Sequence, residues 1–147
     1  MSHAPARTAE TRKADTLSRL TNDVDAWVST ASADGTPYLM PLSFLWTEHT
    51  LLLSTARNNP TSLNLQQTHQ VQLAMGETRD VVLITGTAEL LDSLADDIAD
   101  AFAAKAGFDP RRSSYPFFRV TPTRIQAWRE VNEIPDRNLM LNGTWLT

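Results

Sequence analysis

The dipeptide Asp34-Gly35 stands between two runs rich in apolar and β-branched residues, and it constrains the fold of this chain more than any other feature. Such a dipeptide favours the tight turn of a β-hairpin, because glycine accepts the positive φ that these turns need. It predicts a hairpin between strands at Ala26–Ala31 and Pro37–Trp46. A third strand is expected at Thr50–Thr55, so three consecutive strands are joined by two turns, as in a small β-barrel.

The second predicted strand alternates, so its two faces have different expected roles. The side chains expected to face the core are Tyr38, Met40, Leu42, Phe44 and Trp46. The opposite face carries Pro37, Leu39, Pro41, Ser43 and Leu45. Because proline has no N–H to donate to a neighbouring strand, Pro41 is expected at a sheet edge or a bulge. That face has two interpretations, an edge strand protected by a proline or a shelf for a ligand.

Capping residues and periodicity place the remaining regular elements. We expect helices at Ala9–Leu20, Pro60–Gln67 and Ser93–Ala106, and strands at Gln70–Met75, Val81–Leu90 and Arg124–Arg129. Asn59 suits the N-cap of the second helix. Ser93 and Asp96 resemble a capping box at the start of the third. Gly86 indicates a bulge or a close backbone approach within the fifth strand.

A chain of 147 residues, 41% of them hydrophobic, is expected to form one globular domain. Residues 1–8 are interpreted as a loose N-terminal tail and residues 130–147 as a C-terminal extension. Asn142-Gly143 predicts a small hairpin in that extension. Its apolar residues are too many to be buried in so short a piece, so the extension is a candidate dimer contact.

Composition excludes several classes of function. Without cysteine, the chain has no disulfide, thiolate metal site or cysteine nucleophile, and His3, His49 and His69 lack a metal-binding spacing. A formal net charge of −4 disfavours binding to nucleic acid. No apolar run is long enough for a membrane helix, and the N-terminal segment lacks the apolar centre of a secretory signal. We therefore expect a cytoplasmic protein with no metal.

The segment from Ser54 to Ser62 joins the third strand to the second helix and collects groups that suit an anion. It contains hydroxyl side chains, the guanidinium of Arg57 and a helix N-terminus, where free N–H groups and the helix dipole favour negative charge. The same residues also describe a capped helix with polar side chains. The sequence leaves the phosphate site and the capped helix both open.

The pattern S-T-x-x-x-D-G-x-P-x-x-x-P over Ser29–Pro41, followed by a leucine-rich strand that ends at Ser54-Thr55, resembles one known family. This is the split-barrel flavin-binding family typified by pyridoxamine 5'-phosphate oxidase. The resemblance extends in element order from about Thr16 to Arg129. It implies an all-β fold with flanking helices, a six-stranded split β-barrel, and a homodimer with the cofactor at the subunit interface.

The resemblance also implies which residues bind the cofactor. The positions that match the phosphate-binding junction are Ser54, Thr55, Arg57 and Thr61. The positions that match the strand beneath the flavin ring are Met40, Pro41, Leu42 and Ser43. Arg79 and Trp128 are candidates to cover the ring from the partner subunit. Each has an ordinary alternative, an ion pair with Asp80 for Arg79 and core packing for Trp128.

Thr61 departs from the family pattern, because members that hold a phosphate strongly tend to place Lys or Arg at this position. The missing charge-assisted contact would weaken phosphate binding by roughly 1.5–3 kcal/mol. The family also includes enzymes that use a deazaflavin cofactor of the F420 type, whose longer tail carries a phosphodiester and glutamates. FMN and the deazaflavin both remain candidate cofactors.

No motif for acid–base or nucleophilic catalysis is evident, and neither a Rossmann nor a P-loop fingerprint is present. The catalytic residues therefore stay unknown, which is consistent with a redox enzyme whose cofactor supplies the reactive atom. We expect a flavin- or deazaflavin-dependent oxidoreductase that transfers a hydride to or from a small substrate. The alternatives are a non-catalytic carrier of flavin or haem and a structural domain with an empty groove.

Overall fold

Residues 4–147 are described by the structure, a computed structural model, and they alternate short strands with three helices. The elements are α1 (Ala9–Asn22), β1 (Asp25–Ala31), β2 (Pro37–Thr47), β3 (Thr50–Ser54), α2 (Pro60–Thr68), β4 (Gln70–Glu77), β5 (Asp80–Leu90), α3 (Asp96–Ala106), β6 (Phe117–Trp128), β7 (Asn138–Leu141) and β8 (Thr144–Trp145), with 3₁₀ turns at Pro110–Ser113 and Val131–Asp136. Within this part of the chain, none of the helices combines the length and the apolar character needed to cross a bilayer.

The strands form one antiparallel sheet in the order β3-β2-β1-β4-β5-β6-β7-β8. β3 also pairs with β6, where Leu51 lies opposite Val120, and this pairing closes β1 to β6 into a barrel. The interior is filled by inward-facing apolar side chains such as Leu53, Leu73 and Ile84. The predicted six-stranded split β-barrel with flanking helices is confirmed.

The hairpin expected at Asp34-Gly35 is present and sets the register of β1 against β2. Ala31 lies opposite Pro37 across the loop. Gly35 has a φ of +89°, which an L-residue disfavours, and its N–H donates to the carbonyl of Ser32 at 2.9 Å. Glycine is therefore required by the turn itself.

The faces of β2 are confirmed only in part. Leu42 and Phe44 are buried in the core as predicted, whereas Tyr38 is 38% exposed. β3 pairs with β2 only from Phe44 onward, so within residues 4–147 the first half of β2 has a strand neighbour, β1, on one side alone. Side chains in that half are less covered for this reason. Pro41 lies in the same half, and its predicted edge position is confirmed.

Gly86 lies where β5 and β6 approach too closely for a side chain. A Cβ at this position would be 2.7 Å from the carbonyl oxygen of Thr121 and 2.9 Å from Cγ1 of Val120. The register also shifts between Thr85 and Gly86, and Thr123 of β6 is the residue passed over. The close approach expected at Gly86 is confirmed, and the bulge beside it has its extra residue in β6 rather than in β5.

The substitution Gly86→Ala is expected to lower the free energy of unfolding by about 2 kcal/mol, because the added methyl group meets the backbone of β6. Gly35→Ala is the matched control, because a Cβ at this position would have no atom of the described chain within 4 Å, and only backbone strain of about 1 kcal/mol is expected. Urea unfolding of both variants measures the difference. A loss at Gly86 no larger than that at Gly35 would contradict the close approach.

The third helix begins differently from the prediction. α3 starts at Asp96 with Ala95 as its N-cap, and no side chain among residues 4–147 caps it. The capping box expected from Ser93 and Asp96 is therefore wrong, because Ser93 lies two residues before the N-cap and does not flank the first turn. Gly107 ends the helix as expected, with a φ of +81°.

The sixth strand is longer than predicted. It begins at Phe117, whereas the sequence suggested a start near Arg124. Pro122 stands next to the passed-over residue Thr123, so the missing proline N–H falls where the ladder is already irregular. The additional residues pair with β3, and they are the ones that close the barrel.

Three residues of the predicted N-terminal tail make specific contacts, and the first of them is Ala4, whose carbonyl accepts from Nδ2 of Asn132 at 2.9 Å. Arg7 donates to the Glu133 carboxylate through its backbone N–H at 2.8 Å, Nε at 3.0 Å and Nη2 at 2.7 Å. Thr8 is the N-cap of α1, and its hydroxyl oxygen accepts a hydrogen bond from the N–H of Thr11. The first three residues of the tail lie outside the described residues.

The C-terminal extension folds onto its own barrel. The turn predicted at Asn142-Gly143 joins β7 to β8. Leu139 and Met140 of β7 are buried in the barrel core, where β7 pairs with β6. Four other large apolar side chains of the extension are 36% to 65% exposed: Val131, Ile134, Leu141 and Leu146. The extension as a dimer contact therefore stays a prediction.

Candidate functional site

The junction between β3 and α2 is organised by Asn59. Its side chain caps α2, with Oδ1 accepting from the N–H groups of Thr61 at 2.9 Å and Ser62 at 3.3 Å. Its Nδ2 donates to the hydroxyl oxygen of Thr55 at 2.8 Å and lies 3.5 Å from Sδ of Met40. The prediction of Asn59 as N-cap is confirmed, and the same side chain links the junction to β2.

The first turn of α2 has no N–H left for an anion. Pro60 has none, Thr61 and Ser62 donate to Oδ1 of Asn59, and the N–H of Leu63 donates to the carbonyl of Asn59 at 3.1 Å. The sequence suggested that free amides at this helix N-terminus would favour a phosphate. Of the two interpretations of this segment, a phosphate site and a capped helix, the backbone of this turn matches the capped helix.

The four hydroxyl side chains at the junction are buried, and three of them bond to protein atoms. Ser54 donates to the carbonyl of Pro116 at 2.7 Å, and Ser62 donates to the carbonyl of Ala56 at 2.7 Å. Thr61 is fully buried, and its Oγ1 has no hydrogen-bond partner among the described residues. Thr55 is buried as well. None of these four side chains projects into open space at the surface.

Arg57 is the predicted phosphate residue that is free to meet a ligand. Its guanidinium is exposed, and within residues 4–147 it has no hydrogen bond or ion pair. It lies on the rim of a cleft of about 350 Å³ that also reaches the ends of β5 and the start of β6. The positive charge expected at this junction is therefore present and accessible to a ligand.

The predicted ring-binding residues lie in the first half of β2, which has the open edge. Met40 and Leu42 point toward the barrel interior, whereas Pro41 is exposed on the outer side. Ser43 is half-buried, and its hydroxyl donates to Oδ1 of Asp25 at 2.7 Å. Because Asn59 contacts Met40, this edge and the β3–α2 junction adjoin within one chain.

Arg79 and Trp128 lie at the opposite end of the barrel from the junction. Arg79 is 79% exposed in the turn between β4 and β5, where Nη1 lies 3.2 Å from the Glu130 carboxylate. The alternative of an ion pair with Asp80 is therefore wrong in its partner, because the Asp80 carboxylate faces other arginines. Trp128 pairs in register with Val81 at the same end and is half-buried. The length of the β4–β5 hairpin, roughly 25 Å at about 3.4 Å per residue, separates them from α2. One chain therefore does not bring them to its own junction.

An apolar row crosses the outer surface of four neighbouring strands. In register, Pro41 lies opposite Trp27, Trp27 opposite Ala74, and Ala74 opposite Leu83. Trp27 is 52% exposed, and Leu39 beside the row is 58% exposed. Large exposed apolar side chains in one continuous row are typical of an interaction surface. This outer row is defined by Pro41, Trp27, Ala74 and Leu83.

Sequence reasoning missed Trp27 as a residue of interest. A signal was available: the alternation of β1 buries Ala26, Val28 and Thr30, so Trp27 is left on the outer face. A tryptophan in the outward phase of a strand is unusual enough to mark a contact surface. The side chains that line the cleft beside Arg57, including Tyr115, were missed as well, since they are brought there by loops with no periodic pattern.

Three of the solved structures that are similar to this chain illustrate which proteins share its fold. A putative pyridoxamine 5'-phosphate oxidase from Listeria innocua has a TM-score of 0.66 and 16% identity over 82% of this chain and 98% of that one. An F420 reductase has a TM-score of 0.62 and 15% identity, covering 74% and 93%. HutZ, the haem storage protein from Vibrio cholerae, has a TM-score of 0.64 and 12% identity, covering 79% and 94%. At these identities the likeness concerns the fold.

The family relation comes from the sequence itself. No curated protein matches the chain. The family model described as pyridoxamine 5'-phosphate oxidase matches residues 18–129, which is well over half of the chain and includes the whole closed barrel. The resemblance inferred from the hairpin and the leucine-rich strand is thus confirmed by an independent match and by the closed barrel. The chain belongs to the pyridoxamine 5'-phosphate oxidase family of split-barrel proteins.

Proposed function

We propose that this protein is a dimeric oxidoreductase that binds a flavin-type cofactor and transfers a hydride to or from a small substrate, with a deazaflavin of the F420 type favoured over FMN. The observation that carries the proposal is the contact of Asn59 with both Met40 and Thr55, which joins the open edge of β2 to the β3–α2 junction. A cofactor with a planar ring and a polar tail matches such an arrangement. When bound, the cofactor supplies the atom that accepts or donates the hydride.

The open half of β2 supports the ring part of the proposal. From Pro37 to Ser43, β2 has a strand on one side alone in the described chain, so the backbone along its other edge is available to a planar ligand. Met40 and Pro41 add apolar surface beside that edge. The residues present therefore fit a flavin or deazaflavin ring, which they would position and shield from water on one side.

The junction fits a terminal phosphate poorly, and this favours the deazaflavin. The amides of the first turn of α2 are all engaged, and Thr61 is buried where strong phosphate binders carry a cation. Arg57 alone offers an unpaired charge at this junction in the described chain. A single guanidinium balances the one charge of the phosphodiester, whereas the dianionic phosphate of FMN would keep one charge unbalanced at a junction whose first-turn amides are already engaged.

The outer row supports a homodimer, which is common among family members. A second copy of the chain is the occupant that we propose for Trp27 and its neighbours, because burial would remove large apolar side chains from water. Dimerisation would also explain Arg79 and Trp128, which are too far from their own junction and would instead cover the ring in the opposite subunit. The proposed site is thus shared between two chains.

The decisive experiment is a side-by-side titration of the purified protein with FMN and with the F420-type deazaflavin, followed by absorption and fluorescence. We expect saturable binding of the deazaflavin, with FMN at least tenfold weaker. Tighter binding of FMN would reverse the preference and favour a flavin oxidase or reductase. Binding of neither would refute the oxidoreductase proposal.

The substitution Arg57→Ala is expected to weaken cofactor binding about tenfold, because one charge-assisted contact to the cofactor tail is lost. Arg112→Ala is the matched control, since Arg112 is also exposed but lies outside the cleft of Arg57. The same titration measures both variants, and circular dichroism checks that the fold is retained. Equal affinities for the wild type and Arg57→Ala would remove Arg57 from the site.

A non-catalytic carrier of flavin or haem is the second candidate. It is favoured by the likeness to HutZ, a haem storage protein, whose TM-score of 0.64 is as high as that of the F420 reductase. Reduction kinetics separate the two candidates, because an enzyme must turn over its bound cofactor with a substrate, whereas a carrier only binds and releases it. Tight haem binding without any cofactor reduction would support the carrier.

A further inference from the structure

The cleft beside Arg57 has the composition of a ligand pocket that differs from the edge of β2. It has a volume of about 350 Å³ and is enclosed by the β3–α2 loop, the segment from β5 to α3, and the segment that leads into β6. Leu91, Leu94 and Phe117 give it an apolar wall. A volume of this order is at the lower end of pockets that hold small molecules.

Several side chains that line this cleft are hydrogen-bond donors without a partner in the described chain. The side chains of Arg57, Ser93, Ser114 and Tyr115 all line the cleft, and none of them has a hydrogen bond within residues 4–147. All four residues are exposed, so their donors are open to solvent in the free protein. A ligand in the cleft would meet these donors without displacing a partner from the described chain.

The charges around the cleft favour a bound group that carries a single negative charge. Arg111 also lines the cleft, but its guanidinium is held by Asp109 at 2.9 Å and Asp100 at 2.7 Å. Asp92 contributes a carboxylate to the same lining. Arg57 thus supplies the one unpaired positive charge of the described lining, and Asp92 opposes any ligand with a larger negative charge.

We propose that this cleft binds a singly charged anionic group, a carboxylate or a phosphodiester, attached to an apolar body. Arg57 pairs with the charge, the hydroxyls of Ser93, Ser114 and Tyr115 donate to its oxygens, and the apolar wall holds the body. Two sources supply such a charged group, a separate small organic acid and the phosphodiester of the proposed deazaflavin, whose glutamates would then lie outside the cleft. The second source rests on the proposed function, whereas the pocket itself does not.

The pocket is tested on the full chain without any cofactor, with benzoate as the probe and benzamide as its neutral analogue. Chemical-shift mapping by NMR is expected to show saturable benzoate binding at residues 91–94 and 114–117, with benzamide at least tenfold weaker. Arg57→Gln is expected to weaken benzoate about tenfold, and Asp92→Asn to strengthen it severalfold. Arg112→Gln should leave the affinity unchanged, because Arg112 lies outside the cleft.

Equal binding of benzoate and benzamide, shifts that map elsewhere, or an unchanged affinity in Arg57→Gln would overturn the proposal. Tyr115→Phe provides a second variant that removes one hydroxyl and keeps the ring, and a severalfold weaker affinity for benzoate is expected.

A competition experiment then identifies which of the two sources supplies the bound anion. Displacement of benzoate by the tailed deazaflavin but not by its tail-free chromophore assigns the cleft to the tail, whereas simultaneous binding assigns it to a separate acid.

Failure of the oxidoreductase proposal and failure of the pocket are distinguishable. If no flavin or deazaflavin binds but benzoate does, the pocket stands and its ligand is a separate acid. If the cofactor binds and benzoate does not, the proposed function stands and the pocket is refuted. The Arg57 variants alone would not separate these cases, since Arg57 is common to both proposals, and so Tyr115→Phe and Asp92→Asn are included.

Discussion

Replacing Glu133 with glutamine is expected to lower the free energy of unfolding by about 3 kcal/mol at pH 7, because the substitution removes one partner of a buried ion pair. Glu133 is 3% exposed, and its carboxylate accepts three hydrogen bonds from Arg7 and one from the backbone N–H of Arg129 at 2.9 Å. A glutamine amide keeps the shape but turns an N–H₂ group toward these donors. The Arg7 guanidinium would remain largely buried with less compensation.

The effect depends on pH in a defined direction. Hydrogen bonds from the Arg7 side chain hold the pKa of Glu133 at about 2, below its ordinary value of 4.5, against the opposing effect of burial. A carboxyl whose folded pKa is lowered contributes stability that is complete above the unfolded pKa and is lost as the pH falls toward the folded one. The advantage of the wild type over Glu133→Gln is therefore full above pH 4.5 and disappears as the pH approaches 2.

Urea unfolding at pH 7, 4.5 and 3 measures this difference. Glu89→Gln serves as the control, because Glu89 is 65% exposed and lies 4.0 Å from Arg119, so a change below about 0.5 kcal/mol is expected at every pH. If Glu133→Gln unfolds like the wild type at pH 7, or if the difference grows as the pH falls, the proposed role of the ion pair is wrong.

This ion pair also bears on the proposed site. Arg7 lies 3.9 Å from Asp80, at the start of β5, and Arg129 contacts the same carboxylate at 3.3 Å. The network thereby ties the N-terminal segment and the 3₁₀ turn after β6 to the end of the barrel that carries Arg79. Its loss is expected to loosen the surface that we propose as the partner's contribution to the cofactor site.

Much of the barrel could be predicted because its strands carry local signals. Asp34-Gly35 predicted the first hairpin, and Asn59 and Pro60 predicted the start of α2, because these residues act through their own backbone or a neighbour in sequence. Gly86 predicted the close approach because glycine within a strand is itself a signal, although its contact is with β6. The length of β6 and the cap of α3 were predicted less well, because they depend on pairing with β3 and on loop geometry, which no local pattern encodes.

The site was less predictable than the fold for a physical reason. The residue types at the β3–α2 junction suit both a ligand and the protein's own backbone, and only the three-dimensional arrangement decides between them. The side chain of Asn59 accepts hydrogen bonds from the backbone amides that the sequence had suggested for a phosphate. Thr61 is fully buried and does not reach the surface. The guanidinium of Arg57 is free to bind a ligand, since no acidic residue of the described chain lies close enough to pair with it.

The substitution Trp27→Glu is expected to raise the dissociation constant of the proposed dimer at least a hundredfold, which corresponds to about 3 kcal/mol. Trp27 is central in the outer row, between Pro41 and Ala74, and is 52% exposed in the single chain. A carboxylate at this position would be buried without a partner in the dimer. Analytical ultracentrifugation over a concentration series measures the shift from dimer to monomer.

Two further variants locate the interface. Phe108→Glu alters an apolar side chain with 42% exposure outside the outer row and should leave the dimer intact. Val131→Glu, at 65% exposure, tests the C-terminal extension as a dimer contact. Dissociation by Val131→Glu but not by Trp27→Glu would move the interface to the extension and refute the outer row.

The same Trp27→Glu variant tests whether the cofactor site is shared. Because Arg79 and Trp128 are too far from the junction of their own chain, a monomer would have the edge of β2 and Arg57 but no cover for the ring. We therefore expect deazaflavin binding to weaken in parallel with dissociation and to recover at protein concentrations that restore the dimer. Undiminished binding by a pure monomer would show that one chain holds the cofactor alone, and Arg79 and Trp128 would then have their ordinary roles in an ion pair and in packing.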